Sequence, residues 1–288
     1  MAKKANKVEM TTEAKQAAAE KAMTPSKRIS FQVSEAYKMI RTNLLFALST
    51  SDKRTVVFSS AEPSAGKSTL SANLAIVMAQ TGAHVVLVDA DMRKPTQHRN
   101  FKLSRTMGLS KILSGQNKLD ECICKEVKTN LDVIPAGTIP PNPSELLGSH
   151  RMDELIAELE SRYDYVLVDM PPIGIVTDAL VVAPKAAGLL LVARQKQTTY
   201  DELADTVDSI SATSAPLLGV VLTDVQQEQM LGYGRYGKYG RYGKYGRYGK
   251  YGRYGGRYSR YGGRYYRAYD YAYSADKEKQ AEKESEND

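Results

Sequence analysis

Short apolar runs alternate along this chain with segments that have helical spacing. Strands that alternate with helices favour a parallel sheet with right-handed crossovers. Near-continuous Val, Ile and Leu is typical of strands covered on both faces, and it occurs at residues 55–60, 85–89, 131–135, 165–169, 188–192 and 218–223. Helices are predicted at 33–48 and 69–80. The pattern predicts an α/β fold whose mostly parallel sheet has helices on both faces.

This alternating pattern fills only the middle of the chain. We place one α/β domain at residues 29–229, preceded by a polar segment at 1–28 without a sustained apolar period. Residues 230–274 carry a Tyr-Gly-Arg/Lys repeat with almost no apolar side chain other than Tyr, which predicts a disordered tail because such a segment cannot build a core. Residues 275–288 are predicted to be a charged, flexible terminus.

The unusual composition of the chain is confined to this repeat. Of the 19 Tyr residues, 15 lie between 233 and 273. The formal net charge of the chain is +7. Residues 235–267 contribute +11 through 11 Lys and Arg without any Asp or Glu, and the remaining residues together carry −4. The basic balance therefore describes a tail and does not indicate a basic nucleic-acid-binding domain.

Cellular location is predicted from what the sequence lacks. No apolar run approaches the roughly 18 residues that a membrane span needs, and the first residues have no apolar core or cleavage site of a secretory signal. Cys122 and Cys124 are too close in sequence for a relaxed disulfide, which favours a reducing environment. We expect a soluble, cytoplasmic protein.

A phosphate-binding motif follows the first predicted strand and opens a helix. In such a P-loop, backbone N–H groups, a lysine and a Ser hydroxyl meet the nucleotide phosphates and Mg²⁺. The predicted ATP-binding residues are Ala61, Glu62, Pro63, Ser64, Ala65, Gly66, Lys67, Ser68 and Thr69. Ala61 stands where the motif has Gly, which matters only if that position needs a positive φ. The motif makes the fold a P-loop NTPase type.

Three aspartates lie at the ends of predicted strands. Asp89 and Asp91 follow one strand and Asp169 ends another. Ligands bind at the carboxyl ends of the strands in an open parallel sheet, so these carboxylates should meet the P-loop there. Mg²⁺ takes oxygen ligands and usually keeps waters, so a hydroxyl, one or two of these carboxylates and phosphate oxygens would suffice to hold it. Mg²⁺ and ATP are therefore the predicted cofactors.

These motifs together resemble those of the bacterial tyrosine kinases, the BY-kinase family. The P-loop, the segment Asp89-x-Asp91-x-Arg93-Lys94-Pro95 and the segment Asp169-x-Pro171-Pro172 are similar to its Walker A, Walker A′ and Walker B motifs. The likeness covers about residues 34–225, and is strongest to the separate cytoplasmic kinases of Gram-positive capsule and exopolysaccharide operons. It implies catalytic roles for Lys67, Asp89 and Asp91, with Asp89 orienting or deprotonating the tyrosine hydroxyl. It also implies that Ser68 holds Mg²⁺ together with Asp91 or Asp169.

The same resemblance implies that the tail is the substrate. A C-terminal tyrosine cluster is a mark of the family, and the implied acceptors are Tyr233, Tyr236, Tyr239, Tyr242, Tyr245, Tyr248, Tyr251, Tyr254, Tyr258, Tyr261, Tyr265, Tyr266, Tyr269, Tyr271 and Tyr273. We expect phosphorylation in trans within an oligomer. Fifteen phosphates of about −1.5 to −2 each would reverse the charge of this tail, which is +10 between residues 233 and 273.

Assembly and partners are likewise implied by the family. Its Glu-x-x-Arg-x-x-Arg segment, which serves self-assembly into rings, matches here at Glu35 and Arg41, with Lys38 in place of the middle Arg. Other implied partners are a membrane-embedded activator that regulates polysaccharide chain length and recruits the kinase to the inner face of the membrane, and a cognate phosphotyrosine phosphatase.

Two other readings remain open at this point. The first is a ParA/MinD-like positioning ATPase whose Tyr-Gly-Arg tail binds nucleic acid through charge and stacking; Glu62 argues against it, because partitioning ATPases carry a signature Lys there. The second is an ordinary ATPase whose tail is an anchor or linker.

Thr223-Asp224 also departs from the family, which often places Asn there to contact adenine, so base recognition is expected to differ.

Overall fold

The computed structural model describes residues 31–225. The predicted segments at 1–28, 230–274 and 275–288, with all fifteen tail tyrosines, lie outside these residues. The strands are β1 (Thr55–Ser60), β2 (Val85–Asp89), β3 (Cys124–Lys128), β4 (Leu131–Ile134), β5 (Tyr165–Asp169), β6 (Gly188–Arg194) and β7 (Leu217–Thr223).

Helices connect most of these strands. The helices are α1 (Phe31–Leu48), α2 (Lys67–Ala79), α3 (Gln97–Asn100), α4 (Leu109–Leu113), α5 (Leu119–Cys122), α6 (Pro143–Gly148), α7 (His150–Arg162), α8 (Asp178–Val182) and α9 (Tyr200–Ser211), and a 3₁₀ turn spans Ala183–Lys185. Within residues 31–225 we find no helix with the length and apolar character of a membrane span.

The strands form one sheet in the order β3-β4-β2-β5-β1-β6-β7. All neighbours pair in parallel except β3 and β4, which are antiparallel. The carboxyl ends of β1, β2 and β5 therefore open at the same edge of the sheet, with β1 and β2 both bordering β5. This arrangement brings the P-loop and the strand-end aspartates together, as the sequence predicts.

Two apolar cores fill the two faces of the sheet. One contains Leu44 of α1 and Leu74 and Met78 of α2, packed on residues such as Val56 and Phe58. The other contains residues of α4 and α6–α9, among them Leu109, Leu147, Leu155, Ala179 and Ile210, on the opposite side chains of the same strands. Helices on both faces of a mostly parallel sheet confirm the predicted fold class.

The sequence-based prediction differs from the structure at the sheet edges. The antiparallel strand β3 was not predicted, because its sequence Cys-Lys-Glu-Val-Lys is polar and its middle residues are exposed. The expectation that every predicted strand is covered on both faces is wrong for β7, where Val220 and Leu222 are 46% and 49% exposed. β7 is the last strand of the sheet and has a neighbour on one side only.

Candidate functional site

The P-loop joins β1 to α2 and has its tight turn at two positions. Gly66 precedes the first residue of α2 with a φ of 92°, and Ser64 has a φ of 65°. The hydroxyl of Thr223, at the end of β7, donates to the carbonyl oxygen of Ala65 at 2.6 Å. Ala61 is not among the residues with positive φ, so the replacement of the motif's first Gly requires no strained conformation here.

Lys67 is the centre of a polar cluster at the end of the sheet. Its Nζ lies 3.1 Å from Ser68 Oγ, 3.1 Å from Asp91 Oδ2 and 3.2 Å from Asp169 Oδ1. The two carboxylates come from the ends of β2 and β5, which are neighbours in the sheet. Four of the sequence-predicted site residues are thus brought into direct contact.

Burial and charge shift the pKa values in this cluster. Burial alone would lower the pKa of Lys67, but the carboxylates of Asp169 and Asp91 outweigh it and raise that pKa. Burial raises the pKa of the Asp91 carboxyl, against the opposing effects of Lys67 and of the Lys94 backbone N–H. Lys67 therefore remains a cation at every pH at which the fold is expected to work.

Asp89 lies deeper than the other two aspartates. Its Oδ2 accepts from the backbone N–H groups of Thr96 and Gln97 at 3.0 and 2.8 Å, whereas its Oδ1 is buried without a hydrogen-bond partner. Burial, followed by the negative charges of Asp169 and Asp91, raises the pKa of this carboxyl well above its usual value. The raised pKa means that burial favours the protonated form of Asp89, and its Oδ1 is left without a hydrogen-bond partner.

An open cavity of about 510 Å³ lies beside this cluster. Of the predicted residues, Asp91 and the P-loop from Ser64 to Thr69 line it. Asp89, Asp169 and the first three P-loop residues do not line it. The volume is in the range that small-molecule sites occupy. Further lining residues are Tyr37, Leu70, Lys94, Thr96, Arg194, Thr223 and Asp224.

Arg194 and Tyr37 are among the lining residues that the sequence reasoning missed. Arg194 ends β6, and its guanidinium bonds to Asp224 Oδ2 at 3.0 Å and to the carbonyl oxygen of Ser64 at 3.2 Å. The rule that found the strand-end aspartates would also have found this strand-end cation. Tyr37 comes from α1 and its hydroxyl accepts from Asn73 of α2 at 3.1 Å; no sequence motif marks it.

The loop after β6 forms hydrogen bonds with the first residues of the P-loop. The Thr198 hydroxyl donates to the Glu62 carboxylate, and Gln197 Nε2 donates to the carbonyl oxygen of Pro63 at 3.0 Å. Burial raises the pKa of Glu62, the Thr198 hydrogen bond opposes that change, and the nearby Glu202 adds to it. Glu62 therefore has a structural partner within its own chain.

The oxygen donors present fit Mg²⁺. Ser68 Oγ, Asp91 and Asp169 all approach one point, the ammonium of Lys67, and they are hard oxygen ligands. Among residues 31–225, no group of three or more Asp, Glu, His or Cys side chains is arranged to hold a metal ion alone. Mg²⁺ does not need such a group, because it usually keeps waters and shares phosphate oxygens.

The three predicted interface residues lie on α1 but differ in their contacts. Lys38 pairs with Glu35 at 2.7 Å, and both side chains are about half exposed. Arg41 donates from Nη1 to the carbonyl oxygen of Val77 in α2 at 3.1 Å, so it is engaged within its own molecule. Met39 and Phe46 are exposed on the same helix. Assembly through Glu35, Lys38 and Arg41 stays a prediction.

Comparison with known proteins identifies kinases and nucleotide-binding domains. An AAA domain model matches residues 53–215. Tyrosine-protein kinase YwqD of Bacillus subtilis is 39% identical over 216 residues, which are 75% of this chain and 90% of that protein. Tyrosine-protein kinase wzc of Salmonella typhimurium is 40% identical over 203 residues, which are 70% of this chain and 28% of the longer relative.

Solved structures agree with these relatives. The kinase domain of Escherichia coli tyrosine kinase ETK superposes with a TM-score of 0.67 at 33% identity, covering 78% of this chain and 84% of that one. The septum site-determining protein MinD from Pyrococcus horikoshii, complexed with Mg-ADP, superposes with a TM-score of 0.52 at 21% identity, covering 62% of this chain and 76% of that one. The MinD likeness shows the fold alone.

Proposed function

This chain belongs to the bacterial tyrosine-protein kinases, and from that membership we propose that it phosphorylates the tyrosine cluster in its own C-terminal tail. The observation that carries the proposal is that one chain contains both a P-loop site with converging carboxylates and 15 tyrosines between residues 233 and 273. Because these tyrosines follow the kinase domain in the same chain, they are the substrate that we propose for it.

Phosphoryl transfer depends on positioning and charge neutralisation more than on covalent chemistry. The P-loop N–H groups and the Lys67 ammonium bind the β- and γ-phosphates of ATP. Ser68, Asp91 and Asp169 would hold Mg²⁺, which neutralises charge on the transferred group when bound. The charges of Asp169 and Asp91 raise the pKa of Lys67 and so favour its cationic form.

The acceptor phenol needs to lose its proton. A tyrosine hydroxyl has a pKa of about 10, so it is protonated at neutral pH. As its oxygen bonds to the γ-phosphorus and the bond to ADP breaks, the phenolic proton passes to a carboxylate of the cluster. The family resemblance assigns this role to Asp89, whose Oδ1 is buried without a partner, so bound nucleotide and tyrosine must open a path to it. Asp91 is the competing acceptor because it lines the cavity.

Two variants separate these aspartates. Asp89→Asn should lower the rate of tyrosine phosphorylation about 10²- to 10⁴-fold, as expected for loss of a general base, with little change in nucleotide affinity. Asp91→Asn should weaken Mg-nucleotide binding as well. If Asp89→Asn keeps the wild-type rate, Asp89 is not the proton acceptor.

A mixing experiment tests transfer between copies. A full-length variant with all fifteen tail Tyr changed to Phe can donate phosphate but has no tail acceptor, whereas full-length Lys67→Met can accept but not donate. We expect phosphotyrosine on the Lys67→Met chain when the two are mixed with Mg-ATP, and none when either is incubated alone. Phosphorylation of the wild type without transfer in the mixture would show that the reaction is confined to one chain.

The cellular role follows from the family resemblance. We propose that the kinase works at the inner face of the membrane with a membrane-embedded activator, assembles into rings through α1, is reset by a phosphotyrosine phosphatase, and regulates capsule or exopolysaccharide chain length. Deletion of the gene and replacement by Lys67→Met should both change polymer length distribution. An unchanged distribution in both strains would contradict this role.

A further inference from the structure

The side chain of Gln97 is completely buried in the middle of the candidate site. It begins the short helix α3, just after the loop that follows β2. Its Nε2 lies 2.8 Å from Asp169 Oδ2, 3.0 Å from the carbonyl oxygen of Ser68 and 3.2 Å from Ser71 Oγ. One carboxamide therefore connects the loop after β2 to both β5 and α2.

The orientation of this carboxamide is fixed by its neighbours. A backbone carbonyl and a carboxylate only accept hydrogen bonds, so the atom facing Ser68 and Asp169 must be the NH₂ group. At the other end, Oε1 accepts from Asn100 Nδ2 at 3.0 Å. The backbone N–H of Gln97 in turn donates to Asp89 Oδ2 at 2.8 Å.

Gln97 acts on two residues that are proposed to hold Mg²⁺. The Asp169 carboxylate is held at Oδ1 by Lys67 at 3.2 Å and at Oδ2 by Gln97 at 2.8 Å, so both of its oxygens are fixed. Ser68 is held through its own carbonyl oxygen, at the first turn of α2. Partners that orient metal ligands in this way commonly set metal affinity.

We infer that Gln97 is a positioning residue that aligns Ser68 and Asp169 for Mg²⁺ and so sets the Mg²⁺ requirement of nucleotide binding. The inference rests on the proposed Mg-nucleotide site and not on the identity of the phosphate acceptor. Gln97 does not itself line the nucleotide cavity and, by this inference, does not contact the metal.

The test uses the full chain with Gln97→Met, which keeps the length of the side chain and removes its polar atoms. Binding of a fluorescent ADP is measured against Mg²⁺ concentration and again without Mg²⁺. We expect the Mg²⁺ concentration for half-saturation to rise about 10- to 100-fold, the range seen when partners of metal ligands are removed. Nucleotide affinity without Mg²⁺ should change by less than about threefold, because the P-loop contacts remain.

Asn100→Ala is the matched control, because it removes the contact at Oε1 and leaves the NH₂ contacts in place. Its Mg²⁺ half-saturation should stay within about twofold of the wild type, since no contact to Ser68 or Asp169 is lost. An equal rise in both variants, or no rise in Gln97→Met, would overturn the inference. Thermal melting of each variant shows whether the chain is folded.

Gln97→Glu gives a second route if Gln97→Met does not fold. It keeps the shape and the oxygen that accepts from Asn100, but it turns an oxygen towards Asp169 in place of the NH₂ group. The Mg²⁺ half-saturation should again rise, and a wild-type value would overturn the inference.

Tail tyrosines that stay unphosphorylated while nucleotide binding depends on Mg²⁺ would contradict the proposed function alone. If the wild type binds the fluorescent ADP equally well with and without Mg²⁺, both this inference and the proposed role of the metal are contradicted.

Discussion

Gly66 is the residue at which backbone conformation matters most to the site. Its φ of 92° is strained for any L-residue, but a Cβ there would meet Thr223 Oγ1 at 3.5 Å, an ordinary contact. Gly66→Ala should therefore cost roughly 1–2 kcal/mol of unfolding free energy through strain, and should also weaken nucleotide binding by disturbing the P-loop N–H groups. Denaturant unfolding and nucleotide titration measure the two effects.

Gly82 supplies the control for this prediction. It has the same φ of 92° and no atom within 4 Å of an added Cβ, and it lies at the far end of α2 from the P-loop. Gly82→Ala should lose similar stability and keep the nucleotide affinity of the wild type. A loss of affinity in both variants would mean that it comes from reduced stability and not from the P-loop.

Glu62 provides a pH-dependent prediction outside the catalytic cluster. Burial raises the pKa of its carboxyl, so the folded state holds a proton more tightly than the unfolded state and stability falls as pH rises between the two pKa values. Glu62→Gln still accepts from Thr198 and carries no charge near Glu202. Its melting temperature should exceed that of the wild type at pH 7–8 and match it near pH 4. The opposite order would contradict the assigned cause.

Residues that the sequence revealed share a simple feature, which is a position at a strand end or in the P-loop. Lys67, Asp91 and Asp169 were found in this way, because the carboxyl ends of parallel strands share one edge. Gln97 and Tyr37 were not found. Their roles depend on how a loop and a distant helix fold back onto the site, which no local pattern records.

At the scale of elements, an ion pair couples the loop after β2 to α8. Arg93 donates to the buried carboxylate of Asp178 from Nε at 2.8 Å and from Nη2 at 3.1 Å, and Nη2 also donates to Ser144 of α6 at 2.8 Å. Arg93→Met leaves that carboxylate buried without its charge partner, so it should cost about 3 kcal/mol of unfolding free energy.

A double-mutant cycle checks this coupling. Adding Asp178→Asn to Arg93→Met removes the unpaired charge and should recover part of the lost stability, measured by denaturant unfolding. Additive effects of the two substitutions would show that the pair is not energetically coupled and that the loop and α8 are held together by other contacts.

The sequence predicted the bounds of strands correctly where both faces of the strand are buried. The strands β1, β2 and β5 match their predicted bounds, because each is apolar on both faces and flanked by helices. The short helices α3 to α6 carry too few residues for a helical period to be visible in the sequence. The edge strand β3 has a polar sequence, which lets its residues be exposed to solvent and also makes the sequence look like that of a loop.

At the scale of the whole molecule, phosphorylation should reverse the sign of the protein's charge. The unmodified chain carries +7 and has an isoelectric point near 9.1. Seven phosphotyrosines, at about −1.5 to −2 each, would bring the net charge to roughly −4 to −7. Isoelectric focusing after incubation with Mg-ATP should therefore show a ladder extending below pH 7. Phosphatase treatment should return it to the starting position, and a ladder that stays basic would contradict multiple tail phosphorylation.

The most direct test of the account is phosphosite mapping by mass spectrometry. The full chain is incubated with Mg-ATP and the proposed membrane activator, beside Lys67→Met treated identically. We predict phosphotyrosine within residues 233–273 of the wild type and none in Lys67→Met. A wild-type tail that carries no phosphotyrosine under these conditions would contradict the claim that this nucleotide site serves the chain's own tyrosine cluster.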